Sequence, residues 1–385
     1  MQQETDVYVG LDVHKETITV AVAEAGRDGE VRSWGAIPHE WGAIDRMLAR
    51  IARRHTAPAF VYEAGFSGYG LHRHLTGKGF DCQVAAPSKM PLSPGHRRQK
   101  NDTRDAIALA RLHRAGELVL IWTPDAVHEA MQDLVRARRT ASHQVRKARQ
   151  RISCYLLKYG HRYDRKRWGY THRVWLADLR FDHPAQQFAL QSYLGEEEQA
   201  VARRAQIDAQ IEDLLPGWSR AAIVRDLTAL RGVDVVIAAA VVAEVGDFAR
   251  FATARHLMSY LGLVPGEHSS GSTVRPRGIT KAGASDVRAL LFEAAWLCRL
   301  PPKVGQWQLA HRKAPSQAAI DIAWKAQLRL HSRYRRLTER RGKRSQVATT
   351  AVARELVGFI WAIARAAEDT ADFRGARRDD QAAAA

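Results

Sequence analysis

Four acidic residues near the start of the chain have the types and the spacing that metal-dependent chemistry on phosphate requires. Asp12 and Glu63 each lie at the end of an apolar run, and Asp102 and Asp105 lie three residues apart at the start of a helical pattern. Residues at that spacing share one face of a helix. Carboxylates in one pocket repel each other unless cations lie between them, and Mg²⁺ prefers oxygen ligands and is usually shared with phosphate. Two such ions can stabilise the attacking and leaving oxygens of an in-line phosphoryl displacement.

A structural role is the alternative for each of these acids taken alone. An aspartate at a strand end is usually a turn residue, and Asp102 or Asp105 can simply stabilise the positive end of a helix. The order Asp, Glu, Asp-x-x-Asp, with each acid on a suitable element, favours a shared site. Actin-like sugar kinases also begin with a Gly-x-Asp strand turn, but they need a second phosphate-binding turn, and the sequence offers no convincing one.

The elements that must position the four acids form a small α/β domain, predicted over residues 1–123. Residues 7–13 and 17–23 predict two adjacent strands joined by His14, Lys15 and Glu16. The predicted elements that follow are helices at 40–55, 68–77 and 101–115 and strands at 59–62 and 81–85.

Three further parts are predicted after this domain. Residues 124–218 predict a coiled-coil arm of two long antiparallel helices, the second at 196–215, with an inserted segment at 160–188 rich in Arg, Tyr and Trp. Residues 219–368 predict a mainly α unit with a helix at 235–245, a loop or hairpin at 262–285 and a helix at 286–299, followed by two helices within 316–366. Residues 369–385 predict a disordered tail.

The positive charge of the chain is unevenly distributed. The 385 residues include 59 Lys and Arg against 41 Asp and Glu, a net charge of +18, whereas residues 1–120 carry only +2. Residues 134–173 carry +12 and residues 325–344 carry +8. This surplus favours a polyanionic partner, most often nucleic acid. The ordinary hydrophobic fraction of 46% excludes collagen and a wholly disordered chain.

The predicted arm combines cations with aromatic rings. Cations follow a phosphate backbone and aromatic rings stack on unpaired bases, so the pattern predicts nucleic-acid binding rather than a merely solvated helix face. The predicted contacts are Arg136, Arg138, Arg139, Arg146, Lys147, Arg149, Arg151, Arg165, Lys166, Arg167 and Trp168. The segment Lys325 to Arg344 is a second predicted contact, to the DNA backbone.

The cysteines and the apolar runs indicate a cytoplasmic protein. Cys82, Cys154 and Cys298 are odd in number and far apart, as in a reducing compartment without a disulfide framework. The acidic start of the chain does not predict a secretory signal. The richest apolar run, at 233–245, contains Asp234 and Glu244 and is too short to cross a bilayer.

A second candidate site lies in the Gly- and Ser-rich stretch at 262–285. Ser269, Ser270 and Ser272 surround Gly271, and the cations Arg275, Arg277, Lys281 and Arg288 follow within 20 residues. Serine is a poor nucleophile until a base or a metal activates it, and cations can hold a phosphate and its transition-state charge. A Ser-Gly pair alone is usually loop sequence. Nearby, the Gly-Val-Asp turn at 232–234 predicts either a phosphate-binding helix-hairpin-helix or a tight turn without a ligand.

Two ordered sets of motifs resemble one known family. Val9-Gly-Leu-Asp-Val-His-Lys, Tyr62-Glu-Ala-Gly and Lys100-Asn-Asp-Thr-Arg-Asp-Ala resemble the DEDD domain of insertion-sequence transposases of the IS110 type. Leu230-Arg-Gly-Val-Asp, Tyr260-Leu-Gly-Leu-Val-Pro and Arg277-Gly-Ile-Thr-Lys-Ala-Gly are similar to the C-terminal domain of the same family. Together the two regions cover about half of the chain, and their order makes the resemblance specific.

The resemblance implies a fold, a site and partners. The first domain would be RNase H-like (RuvC-like), with Asp12, Glu63, Asp102 and Asp105 binding Mg²⁺. A serine would be the nucleophile that forms a phosphoserine link to DNA. The match favours Ser270, which directly precedes Gly271, with Ser269 as the main alternative and Ser272 as the less favoured one. The partners would be donor and target DNA, a structured guide (bridge) RNA, and further copies of the chain, as a homodimer that assembles into a homotetramer. The alternatives are a guide-independent junction resolvase that uses only the carboxylates, and a non-catalytic RNA- or DNA-binding protein.

Overall fold

The computed structural model describes residues 5–90, 101–267 and 276–383, without the side chains of 267, 276, 277, 307, 311 and 370–383. Ser269, Ser270, Ser272 and Arg275 therefore lie outside the described residues, as does the side chain of Arg277. The chain divides into two compact units, Met1–Pro124 and Asp125–Ala385. The finer division of the second unit at residues 218 and 368 stays a prediction.

A five-stranded mixed sheet forms the centre of the first unit, in the order β3-β2-β1-β4-β5. The strands are β1 (Val7–Val13), β2 (Thr17–Glu24), β3 (Val31–Pro38), β4 (Pro58–Glu63) and β5 (Asp81–Ala85). β1, β2 and β3 pair antiparallel, whereas β1, β4 and β5 pair parallel. The predicted hairpin and the two later strands are confirmed. β3 was not predicted, because this largely exposed strand lacks a clear alternation of apolar residues.

Helices cover both faces of this sheet. α1 (Trp41–Ala52) and α2 (Gly70–Gly77) pack on one face, against a core that includes Leu11, Phe60 and Val84. α3 (Asp102–Ala115) packs on the other face, where Ala106 and Ala110 contact small residues of β2. This mixed sheet between helices fits the RNase H-like domain that the sequence resemblance implies.

Three helices begin the second unit: α4 (Ala126–Lys158), α5 (Tyr170–Asp178) and α6 (Pro184–Leu214). Hydrogen bonds join Arg138 to Asp208, Arg149 to Glu197 and Tyr155 to Gln186, so α4 and α6 are antiparallel as predicted. α6 begins 12 residues before the predicted start at 196. Its early start follows from Pro184 at the first helical position and from His183, whose side chain accepts from the backbone of Ala185.

Most of the remaining elements of the second unit contribute to its main core, together with parts of α4 and α6. The remaining elements are α7 (Ala221–Leu227), α8 (Val235–Val245), α9 (Ala254–Tyr260), β6 (Pro265–Glu267), β7 (Pro276–Ile279), α10 (Ser285–Trp296), α11 (Gln306–His311), α12 (Gln317–Arg335) and α13 (Ser345–Ala383). α8 has the predicted bounds, and β6 and β7 pair antiparallel, as a hairpin requires. The side chains of α13 are described as far as Asp369, so the predicted disorder of residues 369–385 stays a prediction.

One helical segment, Ser345–Asp369, is long and apolar enough to cross a membrane by length and composition alone. The segment does not form an uninterrupted apolar run, because Arg354 and Glu355 lie within it. Within the second unit, its apolar residues, among them Val352, Leu356 and Ile360, are buried in the core. Burial in a protein core accounts for this composition without a membrane.

Candidate functional site

Asp12 lies on the face of the sheet that α3 covers. Side chains alternate between faces along a strand, so Leu11 enters the core beneath α1 and α2 whereas Gly10 and Asp12 face α3. Gly10 allows α3 to approach, because a Cβ atom at this position would lie 2.3 Å from the carbonyl oxygen of Ala106. The close approach of α3 therefore depends on the Gly-Leu-Asp sequence of β1.

Glu63 is brought beside Asp12 by the parallel pairing of β1 and β4. Leu11 pairs with Tyr62 in the register, so Asp12 and Glu63 are the next residues on adjacent strands. Val61, two residues before Glu63, contacts Leu109 of α3. By alternation, Glu63 shares the face of the sheet on which Asp12 lies.

The first turn of α3 supplies Asp102 and Asp105. Asn101 caps this helix, and its Oδ1 atom accepts a hydrogen bond from the backbone of Thr103 at 2.9 Å. The cap begins the helix at Asp102 and directs its first turn toward the end of β1 that carries Asp12. The positive end of the helix also favours negative charge at both positions.

His14 completes a compact group that the sequence reasoning did not single out. Its Nε2 atom lies 3.2 Å from Oδ2 of Asp12 and 3.3 Å from Oδ1 of Asp102. Ligand atoms of these three residues all lie within 4.8 Å of one another, so the group could hold a metal ion. The Asp-Val-His sequence of residues 12–14 carried the signal, because His14 directly follows β1 and lies two residues after Asp12, so that extending the strand alternation by one residue places both side chains on one face.

The backbone of His14 is itself fixed. Its N–H donates to the carbonyl oxygen of Thr17, the first residue of β2, at 2.8 Å. Its own carbonyl oxygen accepts from Nδ1 of His39, also at 2.8 Å. His14 is therefore held at the edge of the sheet by contacts on both sides of its peptide unit.

The charges around Asp12 favour a cation. Burial raises the pKa of the Asp12 carboxyl above its ordinary range, His14 acts in the opposite direction, and the negative charges of Asp102 and Asp105 raise the pKa further. The side chain of Asp12 is only 17% exposed. A divalent ion between these groups would remove the repulsion and stabilise the ionised carboxylates.

The four acids predicted to bind a metal differ in part from the group of three residues whose ligand atoms lie closest together. Asp12 and Asp102 belong to that group, and Asp105 interacts with Asp12 electrostatically. Glu63 lies at the same sheet edge, yet neither it nor Asp105 is in the group within 4.8 Å, and His14 is. Two carboxylates and an imidazole form a mixed donor set, in which the carboxylate oxygens suit Mg²⁺ or Mn²⁺ whereas the imidazole nitrogen suits ions such as Zn²⁺ or Fe²⁺.

The cations near the predicted nucleophile have different surroundings. Arg288 donates to the backbone carbonyl groups of Leu261, Ala282 and Gly283, so its guanidinium holds the chain around the β6–β7 pair. Lys281 is exposed and has a left-handed backbone with φ of 58°. The predicted contacts of both residues with nucleic acid stay predictions.

Most cations of α4 are paired with carboxylates. The pairs are Arg136 with Glu244, Arg138 with Asp208, Arg139 with Asp286, Arg149 with Glu197 and Arg151 with Glu196. Within the described residues, Arg146 and Lys147 form no ion pair, and neither do Arg165, Lys166 and Arg167 in the segment after α4. The predicted phosphate contacts on α4 thus include many side chains that already hold the helices together.

Comparisons with known proteins bear on both candidate sites. A family model described as "Transposase", of the DEDD IS110 type, matches residues 9–161. A model of the transposase IS116/IS110/IS902 family matches residues 224–306. The protein y4qE of Sinorhizobium fredii is 48% identical over 366 residues, which cover 95% of this chain and 90% of that protein. The chain belongs to the IS110 family of DEDD transposases.

A second relative of the transposase carries its function in its name. The "Transposase for insertion sequence element IS1533" of Leptospira borgpetersenii is 29% identical over 341 residues, covering 88% of this chain and 98% of that protein. The transposase is thus an enzyme of insertion-sequence transposition that acts on DNA. The carboxylates at the sheet edge lie within the first matched range, and the serines at 269–272 lie within the second.

Proposed function

We propose that this transposase is an RNA-guided DNA recombinase with a metal-binding carboxylate site and a serine nucleophile. The observation that carries the proposal is the convergence of Asp12, His14 and Asp102 at one sheet edge, with Glu63 and Asp105 on the neighbouring strand and helix turn. The family supplies the reaction class, which is transposition. Mg²⁺ is the proposed physiological ion.

The carboxylates would hold the ion, and the ion when bound would neutralise charge on the scissile phosphate. Asp12 and Asp102 are the closest proposed ligands, with Glu63 and Asp105 completing the set. His14 keeps the two close carboxylates at a fixed separation through its single Nε2 atom. The partial burial of Asp12 limits access of bulk water to this side of the site.

Ser270 is the proposed nucleophile. Its Oγ atom would attack the phosphorus, forming a phosphoserine bond as the bond from phosphorus to one DNA oxygen breaks. The proton of the hydroxyl would pass to the departing oxygen, which leaves as a free DNA hydroxyl. A hydroxyl of the exchanged strand would then attack the phosphorus of the phosphoserine, restoring the DNA phosphodiester and the serine hydroxyl. Rejoining would therefore consume no nucleoside triphosphate.

A guide RNA would select the DNA. Base pairing would supply sequence choice while the protein contacts shape and backbone. The proposed partners are donor DNA, target DNA, the guide RNA and further copies of the chain, as a dimer that assembles into a tetramer in the cytoplasm, on the nucleoid. The paired helices α4 and α6 are the proposed coiled-coil arm, and the turn at Gly232 is the proposed helix-hairpin-helix-like element. The exposed cations at 325–344 are the proposed DNA-backbone contact.

Substitution of the carboxylates tests the metal site. Asp12→Asn and Asp102→Asn should each abolish strand cleavage in Mg²⁺ or Mn²⁺, and should weaken Mn²⁺ binding measured by electron paramagnetic resonance. Asp28→Asn is the control, because Asp28 is an exposed acid of the first unit outside the close group. Full cleavage by Asp12→Asn would contradict the metal site.

Substitution of the serine separates the proposal from a resolvase. Ser270→Ala should abolish the covalent adduct between protein and DNA and also recombination, while DNA binding persists; Ser272→Ala is the control. Recombination by Ser270→Ala would show that the serine assignment is wrong. Sequencing of RNA that copurifies with the protein tests the guide, and a preparation without one discrete RNA would favour the guide-independent reaction.

A further inference from the structure

A cavity of about 530 Å³ lies within the second unit, among α4, α6, α8 and α10. Trp168, from the segment after α4, forms part of its wall. This volume lies within the roughly 300–1,000 Å³ of typical small-ligand sites. The polar lining residues used below are Ser142, Arg146, Arg149, Trp168, Arg204 and Glu293.

The lining has more positive than negative groups. Six arginines contribute to it, against the three carboxylates Glu244, Asp286 and Glu293. Within the described residues, Arg146 and Arg204 form no ion pair. The Nε atom of Arg204 and the hydroxyl of Ser142 are buried without a hydrogen-bond partner. Buried donors without partners are costly, so both groups favour a ligand with acceptor oxygens.

Trp168 is held in an unusual backbone conformation. Its φ is 65°, in the left-handed region that a large side chain rarely adopts. The backbone N–H donates to Nδ1 of His172 at 3.1 Å, and the guanidinium of Arg149 lies 4.8 Å from the ring centroid. Glu197 accepts from Arg149 at 2.8 Å and fixes it. Such strain persists only where the surroundings impose it, and it occurs most at functional sites.

We propose that this cavity binds one unpaired nucleotide of the nucleic-acid partner. The base stacks against the Trp168–Arg149 pair, and the phosphate contacts Arg146 and Arg204. An aromatic ring beside unpaired cations fits a nucleotide better than a bare anion, because the ring offers a surface for the base. Glu293 can accept from an exocyclic amine. Through Trp168, the inserted segment at 160–188 would take part in nucleotide binding. This proposal rests on the proposed function only in assuming that the partner is a nucleic acid.

Short single strands carrying one 2-aminopurine test the site. The base should lose fluorescence when it stacks in wild-type protein, with RNA and with DNA of the same sequence as separate arms. Trp168→Ala should abolish the quenching and weaken binding about ten-fold, in line with roughly 1–3 kcal/mol per stacked base. Trp168→Phe should retain most of the quenching, which separates stacking from folding.

Two neighbouring residues provide matched controls. Arg204→Ala should weaken binding, whereas Arg203→Ala should have little effect, because Arg203 lies next to Arg204 on α6 but does not line the cavity. Tyr170→Ala removes an exposed ring outside the cavity and should also have little effect. Stronger binding of the RNA arm assigns the nucleotide to the guide, stronger binding of the DNA arm assigns it to the substrate, and equal binding supports a site for either.

Unchanged quenching in Trp168→Ala would overturn the proposal, as would equal losses of binding in Arg204→Ala and Arg203→Ala. A third outcome would also overturn it, in favour of a simple anion site. In that outcome the oligonucleotide binds without quenching of its 2-aminopurine, and inorganic phosphate displaces it. Ser270→Ala and Asp12→Asn should keep normal quenching while losing strand exchange. A failure of the nucleotide site is therefore distinguishable from a failure of the proposed reaction.

Discussion

The two basic segments of the chain, 134–173 and 325–344, differ in how their cations are used. In the first, five of the six arginines of α4 are paired with acids of α6, α8 and α10, and Glu196, Glu197 and Asp208 of α6 accept three of them. In the second, six exposed cations form no ion pair within the described residues. They are Lys325, Arg336, Arg340, Arg341, Lys343 and Arg344. Packing therefore neutralises most of the arginine charge on α4 itself. Exposed cations without an ion pair within the described residues are, in the first segment, Arg146, Lys147, Lys158, Arg162, Arg165, Lys166 and Arg167, most of them at or beyond the end of α4.

The difference follows from what packs against each segment. The chain returns along α4 as an acidic helix, so residues 124–218 contain 16 basic and 12 acidic residues and carry only +4. α12 packs through Ala323 and Leu330 against the apolar core, to which α13 contributes. Glu355 of α13 pairs with Arg329 and Arg333, and the cations beyond Arg335 lie around a turn at Gly342. Residues 219–368 consequently carry +13.

Removing the charge of Glu197 should have the largest effect on stability. This carboxylate is 1% exposed and accepts from both Arg149 and Arg173. Glu197→Gln leaves two partly buried guanidinium groups without their charge partner. We expect the free energy of unfolding to fall by about 2–3 kcal/mol, in the range for hydrogen bonds to charged groups, as measured by urea denaturation.

Glu196→Gln is the matched control for that prediction. Glu196 is the adjacent residue on α6 and pairs with Arg151, but its side chain is half exposed. Exposed ion pairs contribute about 0–1 kcal/mol, so this variant should lose much less stability. Equal losses in the two variants would show that burial does not distinguish the α4 pairs.

The elements of the fold were easier to predict from sequence than the surroundings of single side chains. α8 and β5 have the predicted bounds because their apolar runs are bordered by a capping Asp234 and by turn residues. Asp12 and Asp102 were predicted to converge, since strand ends and a capped helix determine their positions. The place of His14 beside Asp12 could have been predicted by extending the alternation of β1 by one residue beyond Val13. The burial of Glu197 depends on pairing between helices distant in sequence, which no local pattern carries.

Unpaired cations should affect DNA binding more than paired ones. Arg340→Ala removes an exposed cation of the second segment, and Arg151→Ala removes one that is paired with Glu196. Each phosphate contact contributes about 0.9 to the slope of log affinity against log salt for duplex DNA. We expect Arg340→Ala to reduce that slope by about 0.9 and Arg151→Ala to change it little, in fluorescence anisotropy titrations at several salt concentrations.

The result would be reversed if α4 were the main phosphate contact. A larger loss of slope in Arg151→Ala than in Arg340→Ala would contradict the comparison. Melting curves of both variants provide the folding control, since neither arginine is buried.

Acid should weaken the attachment of α4 without changing the charge of the second segment's arginines and lysines. His128 of α4 is 1% exposed, and its Nε2 atom lies 2.9 Å from the carbonyl oxygen of Ala243 in α8. Burial lowers the pKa of His128 below its ordinary value of 6.5. The unfolded chain therefore binds this proton more readily, so the stabilising contribution is complete above about pH 6.5 and declines as the pH falls toward the folded-state pKa, by at most about 1.4 kcal/mol per pH unit.

His128→Gln should lose less stability than the wild type between pH 7 and pH 5 in urea denaturation, because glutamine keeps a donor near Ala243 without a titrating group. A wild-type pH dependence that persists in His128→Gln would assign the effect to other groups.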